Sequence, residues 1–326
     1  MYEWHKQIQQ ILDEIDTCIR QHDDEALMLG QLSQKLGYSE FHTTRKFKQI
    51  SGMPFRDYLR LRKLAFALLE VRDSQKSMLQ IAVDYGYSSH EAFSRSFKAA
   101  YGMTPSAYRK KPKPLVLRTK INPFDRYFLG IGEIGMLEST QQDVKVYFVT
   151  IPAHKFLHIK NYESNGYWDF WQKQSAIPGQ DCDTICGLLE SIKGKLDDTG
   201  EGAGLSNSSS GQIMAYINDP NGLKAECYAA PRTECYGVRL ALDYNGEVPG
   251  QMLLIDVPEA EYIVFEHGPF DYDKENQIVE ARMDEAMAKF DFAPTAYCFD
   301  AAPGRMAYFF HDAQRFWKYV RPVCKK

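Results

Sequence analysis

The 326-residue sequence contains no apolar run of about 18 residues, the length a membrane-spanning helix requires. Its opening residues, Met1 to Lys6, are polar and charged and lack the apolar stretch of a signal peptide, which places the chain in the cytoplasm by expectation. The seven cysteines, at 18, 182, 186, 227, 235, 298 and 324, are scattered and form no CxxC pair, so neither a disulfide framework nor a zinc site is expected. Cys182 and Cys186 could lie one helical turn apart, but no His or Cys with metal-site spacing accompanies them. No nucleophile–His–acid constellation stands out, so the expectation is a chain that is not an enzyme and holds no cofactor. What is present is ordinary globular material: 44% hydrophobic and 13% aromatic residues, enough for two or three cored domains.

The net charge of −4 conceals an asymmetry. Residues 1–113 hold 18 Lys and Arg against 13 Asp and Glu, and the remainder holds 21 against 30. A basic half suited to a polyanion is thus joined to an acidic half with a different partner.

The texture divides at the same place. Segment 4–108 shows helical spacing, in Ile8, Ile11, Leu12, Ile15 and Ile19 and again in Leu59, Leu61, Leu64, Ala65 and Leu68. Arg109 to Pro114, basic and interrupted by proline, reads as its end. The boundaries predicted are a helical domain at 1–113, a connector at 114–142 and a second domain at 143–326. In the latter, alternating runs predict strands at 144–149, 154–159, 213–217, 238–242, 252–255 and 262–265. Helices are expected at 167–175, 181–196 and 274–290, and Glu201 to Gly211 reads as a flexible loop. Ile151 to Ile159 resembles Val257 to Phe265 at an offset of 106, which predicts two similar β-α-β units within one α+β domain.

The helical half contains a doubled pattern. A helix from about Leu29 to Leu36 precedes Gly37-Tyr38-Ser39 and then a helix from Glu40 to Ile50. Ile81 to Tyr85 precedes Gly86-Tyr87-Ser88 and then a helix from Ser89 to Ala100. The glycines can take the positive φ that ends a helix, and a serine can cap the next one. Phe47 and Ile50, and Phe93 and Phe97, point to the core. His42, Thr43, Arg45, Lys46 and Lys48 are expected on the other faces of the first helix, with His90, Glu91, Ser94 and Arg95 on those of the second. Each copy is followed by a matching tail, Ser51-Gly52-Met53-Pro54 and Tyr101-Gly102-Met103-Thr104-Pro105. Such a unit lays its second helix in the major groove of duplex DNA.

The pattern Ile81-Ala82, Gly86-Tyr87, Ser89, Phe93, Arg95, Phe97-Lys98, Gly102-Met103-Thr104-Pro105 and Tyr108-Arg109 resembles the AraC/XylS family of transcription regulators. The resemblance implies base contacts from Phe41, Thr44 and Arg45 in the first copy and from His90, Glu91, Ser94 and Arg95 in the second. Lys46 and Lys48 either face solvent or meet phosphate, and Lys98 completes the DNA-binding set. Phe41 suits a thymine methyl; Glu91 either accepts from cytosine N4 or repels the backbone. One chain supplies both copies, so a monomer on an asymmetric site is expected.

The acidic half resembles the GyrI-like small-molecule-binding domain. The residues that carry this are Pro258, Ala260, Tyr262, Val264-Phe265 and His267-Gly268-Pro269-Phe270, with Ile217 to Pro220 and Arg321-Pro322-Val323. The resemblance implies a pseudo-two-fold α+β fold with a cleft for an aromatic or cationic effector. Candidate ligand contacts are Tyr147, Trp168, Trp171, Tyr216, Glu266, Phe270 and Asp300. Trp168 and Trp171 share one helix face and serve either as core anchors or as a pocket wall. The function expected is a regulator whose effector changes how the DNA-binding module, or RNA polymerase, engages. The alternative is the same module fused to a hydrolase or sequestering domain.

Overall fold

The computed structural model describes residues 2–121, 123, 144–197, 211–223, 230–270, 272–311 and 316–326. Most of the predicted connector, nearly all of the Glu201 to Gly211 loop and Cys227 lie outside the described residues. The chain divides into two compact units, one of residues 1–134 with 186–191, the other of 135–185 with 192–326.

The first unit is helical: α1 (Tyr2–Gln21), α2 (Leu29–Lys35), α3 (Glu40–Ser51), α4 (Phe55–Asp73), α5 (Met78–Asp84), α6 (His90–Tyr101) and α7 (Pro105–Lys110). The apolar stripe of α1, Ile8 to Ile19, is buried with Leu64, Ala65 and Leu68 of α4 and with Phe47, Phe93 and Phe97 in a single core. Gly37 and Gly86 adopt φ of 73° and 79°, the left-handed turn that a Cβ would strain. Ser39 then caps α3 by accepting from the His42 N–H at 3.3 Å, and Ser89 caps α6 by accepting from Ala92 N–H at 3.1 Å. A buried ionic knot ties α1 to α4: Arg62 donates to both carboxylate oxygens of Asp16, at 2.8 and 2.7 Å. The same guanidinium reaches Glu190 at 3.0 Å and the Arg118 carbonyl at 2.8 Å, within the same unit.

The second unit is built on β1 (Lys145–Ile151), β2 (His154–Asn161), β3 (Gln212–Leu223), β4 (Arg232–Leu240), β5 (Leu253–Val257), β6 (Ala260–His267), β7 (Tyr297–Phe299), β8 (Met306–His311) and β9 (Trp317–Lys325). Helices α8 (Tyr167–Gln174), α9 (Cys182–Ser191) and α10 (Tyr272–Lys289) join the strands, and α9 runs from the second unit into residues assigned to the first. All strand pairs are antiparallel in one sheet, ordered β1-β6-β9-β8-β3-β4-β2-β5, with β7 beside β9.

That order is symmetric about the β3–β8 pair, and the offset of 106 is visible in the register. Ile151 pairs Ala260, and the equivalent residues Val257 and His154 pair with each other. The two repeats are therefore not self-contained. The first strand of each crosses to the other, β1 onto β6 and β5 onto β2. The two repeats join through β3 and β8, and the exchange lays the first strand of each repeat along the outer side of the other.

Candidate functional sites

Helices α3 and α6 offer the same frame. From 41 to 49 and from 91 to 99 the order of exposed, half-buried and buried residues is identical, position by position. Phe41, Arg45 and Lys48 are exposed on α3; Glu91, Arg95 and Lys98 are exposed at the corresponding places on α6. Phe41 stands out at 77% exposure, more than any other large apolar side chain among the described residues. It is an apolar ring held in water at the start of α3.

The remaining candidates carry local roles as well. Thr44 bonds the Glu40 carbonyl through its hydroxyl. Ser94 Oγ lies 3.3 Å from His90 Nε2. Lys46 turns back over the Trp4 ring at 5.7 Å and donates to Gln49 at 3.3 Å. The Glu91 carboxyl is held below its ordinary range, first by its own backbone N–H and then by Ser89, as an acid in a first helical turn should be. Thr43, expected on an open face, is fully buried, because it occupies the position that Phe93 fills in the second copy. A cluster not foreseen in the sequence buttresses the first helix: Trp4 of α1 packs on Tyr38 at 4.5 Å and on His42 at 5.0 Å.

The second unit distributes its candidates instead of gathering them. Tyr147 donates to Glu266 at 2.7 Å, and Lys318 lies 3.6 Å from the same carboxylate. Tyr147 pairs with Val264, a member of the core that includes Tyr262, Val320 and Phe156. Phe270 packs in the other core, with Ile263, Phe265 and Trp317. Alternation along β6 thus sets Tyr147 and Glu266 on one face and Phe270 on the opposite one. Asp300, nearly buried, is bound by Arg305 at 2.7 Å and accepts the Ala302 N–H at 3.0 Å.

Trp171 and Tyr216 mark the region with the most unusual chemistry. Trp171 is buried edge-on against Tyr236 at 4.8 Å; Trp168, half-buried, meets Tyr167 at 5.0 Å. The Arg232 guanidinium covers the Tyr216 ring at 4.6 Å. Next to it on β4, Glu234 is 1% exposed. One of its oxygens accepts from Gly166 N–H at 2.8 Å and lies 3.7 Å from Arg232, while the other has no hydrogen-bond partner among the described residues. Trp171 Nε1 and Ser164 Oγ are buried without partners as well. Buried polar atoms are normally satisfied, and an open carboxylate oxygen is the costliest exception. The alternation predicts a strand only from Val238, whereas β4 begins at Arg232 and so includes Glu234. The alternation in Arg232-Thr233-Glu234-Cys235-Tyr236 was the available signal.

A family profile described as a helix-turn-helix domain matches residues 32–111. The regulatory protein SoxS of Escherichia coli K12 is 34% identical over 103 residues, which span 32% of this chain and 96% of that protein. The TetD protein of transposon Tn10, from Escherichia coli, is 33% identical over 100 residues, 31% of this chain and 72% of that one. Among solved structures, an AraC-type regulator from Chromobacterium violaceum is similar at 28% identity over 32% of this chain and 96% of its own, with a TM-score of 0.27. The structure of SAV2435 bound to tetraphenylphosphonium is similar at 14% identity over 55% of this chain and 94% of its own, with a TM-score of 0.34.

Proposed function

The chain belongs to the AraC family of DNA-binding transcription regulators, and on that premise we propose that it reads an asymmetric operator as a monomer and answers to a small effector bound by its second unit. Residues 1–113 are assigned to DNA, 143–326 to the effector and 114–142 to the connection. The observation that carries the DNA reading is the matched pair α3 and α6, equal in frame, alike at Arg45 and Arg95 and at Lys48 and Lys98, and different at Phe41 and Glu91. Arg45 and Arg95 are the base-reading residues, each able to make a bidentate bond to guanine. Lys48 and Lys98 fix register on phosphate.

For the effector, the symmetric sheet supports a GyrI-like identity, with α8 and α10 as the helices of its two repeats. The binding group is Glu234, with Trp171, Tyr216 and Tyr236 as aromatic neighbours. The open carboxylate oxygen on Glu234 favours a ligand that brings a donor or positive charge to an aromatic surround. The effector controls transcription by binding one state of the protein better than the other. Tryptophan fluorescence titration with aromatic cations and neutral aromatic amines tests this. Saturable quenching without product, weakened roughly tenfold or more by Glu234→Gln, is expected from loss of a charged hydrogen bond. Silence across the panel, or binding undiminished in the variant, contradicts the assignment.

A further inference from the structure

Cys298 of β7 stands directly opposite Cys324 of β9, and the two Sγ atoms lie 3.5 Å apart. Backbone bonds on both sides hold this register, from Lys326 N–H to the Ala296 carbonyl at 2.9 Å and from Asp300 N–H to the Pro322 carbonyl at 3.0 Å. The two thiols therefore share the hydrogen-bonded type of pair, for which Cα atoms sit about 5.5 Å apart. A disulfide spans Cα separations of about 4.4 to 6.8 Å, so this pair needs no rearrangement of the strands. Both side chains are half-buried and reachable from solvent, and β7 is a three-residue strand paired on one side. The contrast with Cys235 is sharp: it is completely buried, and burial pushes its thiol up and out of reactive range.

We propose that Cys298 and Cys324 form a reversible dithiol–disulfide site whose reaction partner is a small disulfide of the glutathione type. The Cys298 thiolate attacks one sulfur of glutathione disulfide; the sulfur–sulfur bond breaks and one glutathione thiolate leaves. Cys324 gives its proton to solvent and attacks the Cys298 sulfur, releasing the second glutathione thiolate. Two electrons pass from the two cysteine sulfurs to the two glutathione sulfurs, and one disulfide replaces another. The hydrogen bond between the two thiols, together with burial, holds Cys324 above the ordinary thiol range. The product fastens β7 to β9 and with it Phe299 and Asp300, the residues that follow Cys298 in the chain.

The test treats the full chain with oxidised glutathione, alkylates the remaining thiols and maps peptides without reduction. A cross-linked peptide joining 298 to 324 is expected, with the protein lighter by two hydrogens and restored by dithiothreitol. The melting temperature of the second unit should rise on oxidation by about 10 °C, as closing a loop of this length predicts, and the rise should vanish in Cys298→Ser. Cys324→Ser should accumulate glutathione on Cys298. Full alkylation of both thiols after oxidation, or a wild-type reaction that stops at the mixed disulfide, overturns the proposal.

Discussion

Helix α3 shows Phe41, Arg45 and Lys48 to solvent, and α6 shows Glu91, Arg95 and Lys98 from the same places in the same frame. Beneath them, Phe47 and Phe97 are equally and fully buried, whereas Thr43 stands where the other copy has Phe93. The comparison teaches that the frame is held by the order of burial, while divergence falls at particular places in it: Phe41 against Glu91 on the exposed face and Thr43 against Phe93 beneath it. On the proposed reading, two tandem motifs that differ at Phe41 and Glu91 meet a site that has no two-fold symmetry. A dimer of single motifs would instead present one face twice.

The largest expected effect falls on what the copies share. Phe47→Ala and Phe97→Ala should each cost about 3–5 kcal/mol by urea unfolding, because each empties a fully packed site. A loss from only one of them would show that the frames are not energetically equivalent.

Acid should separate the copies from the second unit. Burial lowers His158 to about 4, and it also lowers His154, whose Nδ1–H donates to the Pro152 carbonyl while Nε2 faces the Tyr308 hydroxyl at 2.6 Å. The unfolded chain binds these protons more readily, so stability falls as pH drops from about 6.5 towards the folded values. For His158 alone the loss is on the order of 2–3 kcal/mol by pH 4. Melting followed by separate probes in each unit should show the second unit failing first. Simultaneous loss of both would place the acid-sensitive groups elsewhere.

Arg45→Ala and Arg95→Ala sharpen the comparison at the faces. Each should weaken operator binding by about 1–3 kcal/mol and relax sequence preference, but in different half-sites. Overlapping footprints of relaxed specificity would contradict two readers. The smallest effect concerns Thr43, whose buried hydroxyl has no partner among the described residues. Thr43→Val keeps the shape and should stabilise the chain by about 1 kcal/mol in denaturant titration, since it removes an unmet donor.

The helical unit was legible because its information is local. A positive-φ glycine, a capping serine and an aromatic residue at helical spacing sit within a dozen residues of one another in each copy. The internal offset of 106 was legible for the same reason. The exchange of β1 and β5 was not, since strand partners are chosen across a hundred residues and nothing in Lys145 to Ile151 names β6. Strand β9 was hidden by Pro322, a residue that argues against a sheet interior. Its missing N–H faces Asp300, just past the end of β7, where only one ladder bond is lost. Helix α9 stops at Ser191, short of the predicted 196, and Lys195 instead bridges Leu240. Of the ligand candidates, Trp171 and Tyr216 lie near Glu234, a carboxylate whose setting depends on pairing between β3 and β4 and is not legible in the local sequence.

The central claim is that one chain reads two unlike half-sites. Selection of bound duplexes from a random pool, with the mass of each complex determined, tests it most directly. The account predicts one chain per duplex and a non-palindromic consensus of two different elements about 10 base pairs apart, centre to centre. A palindromic consensus occupied by two chains would contradict it.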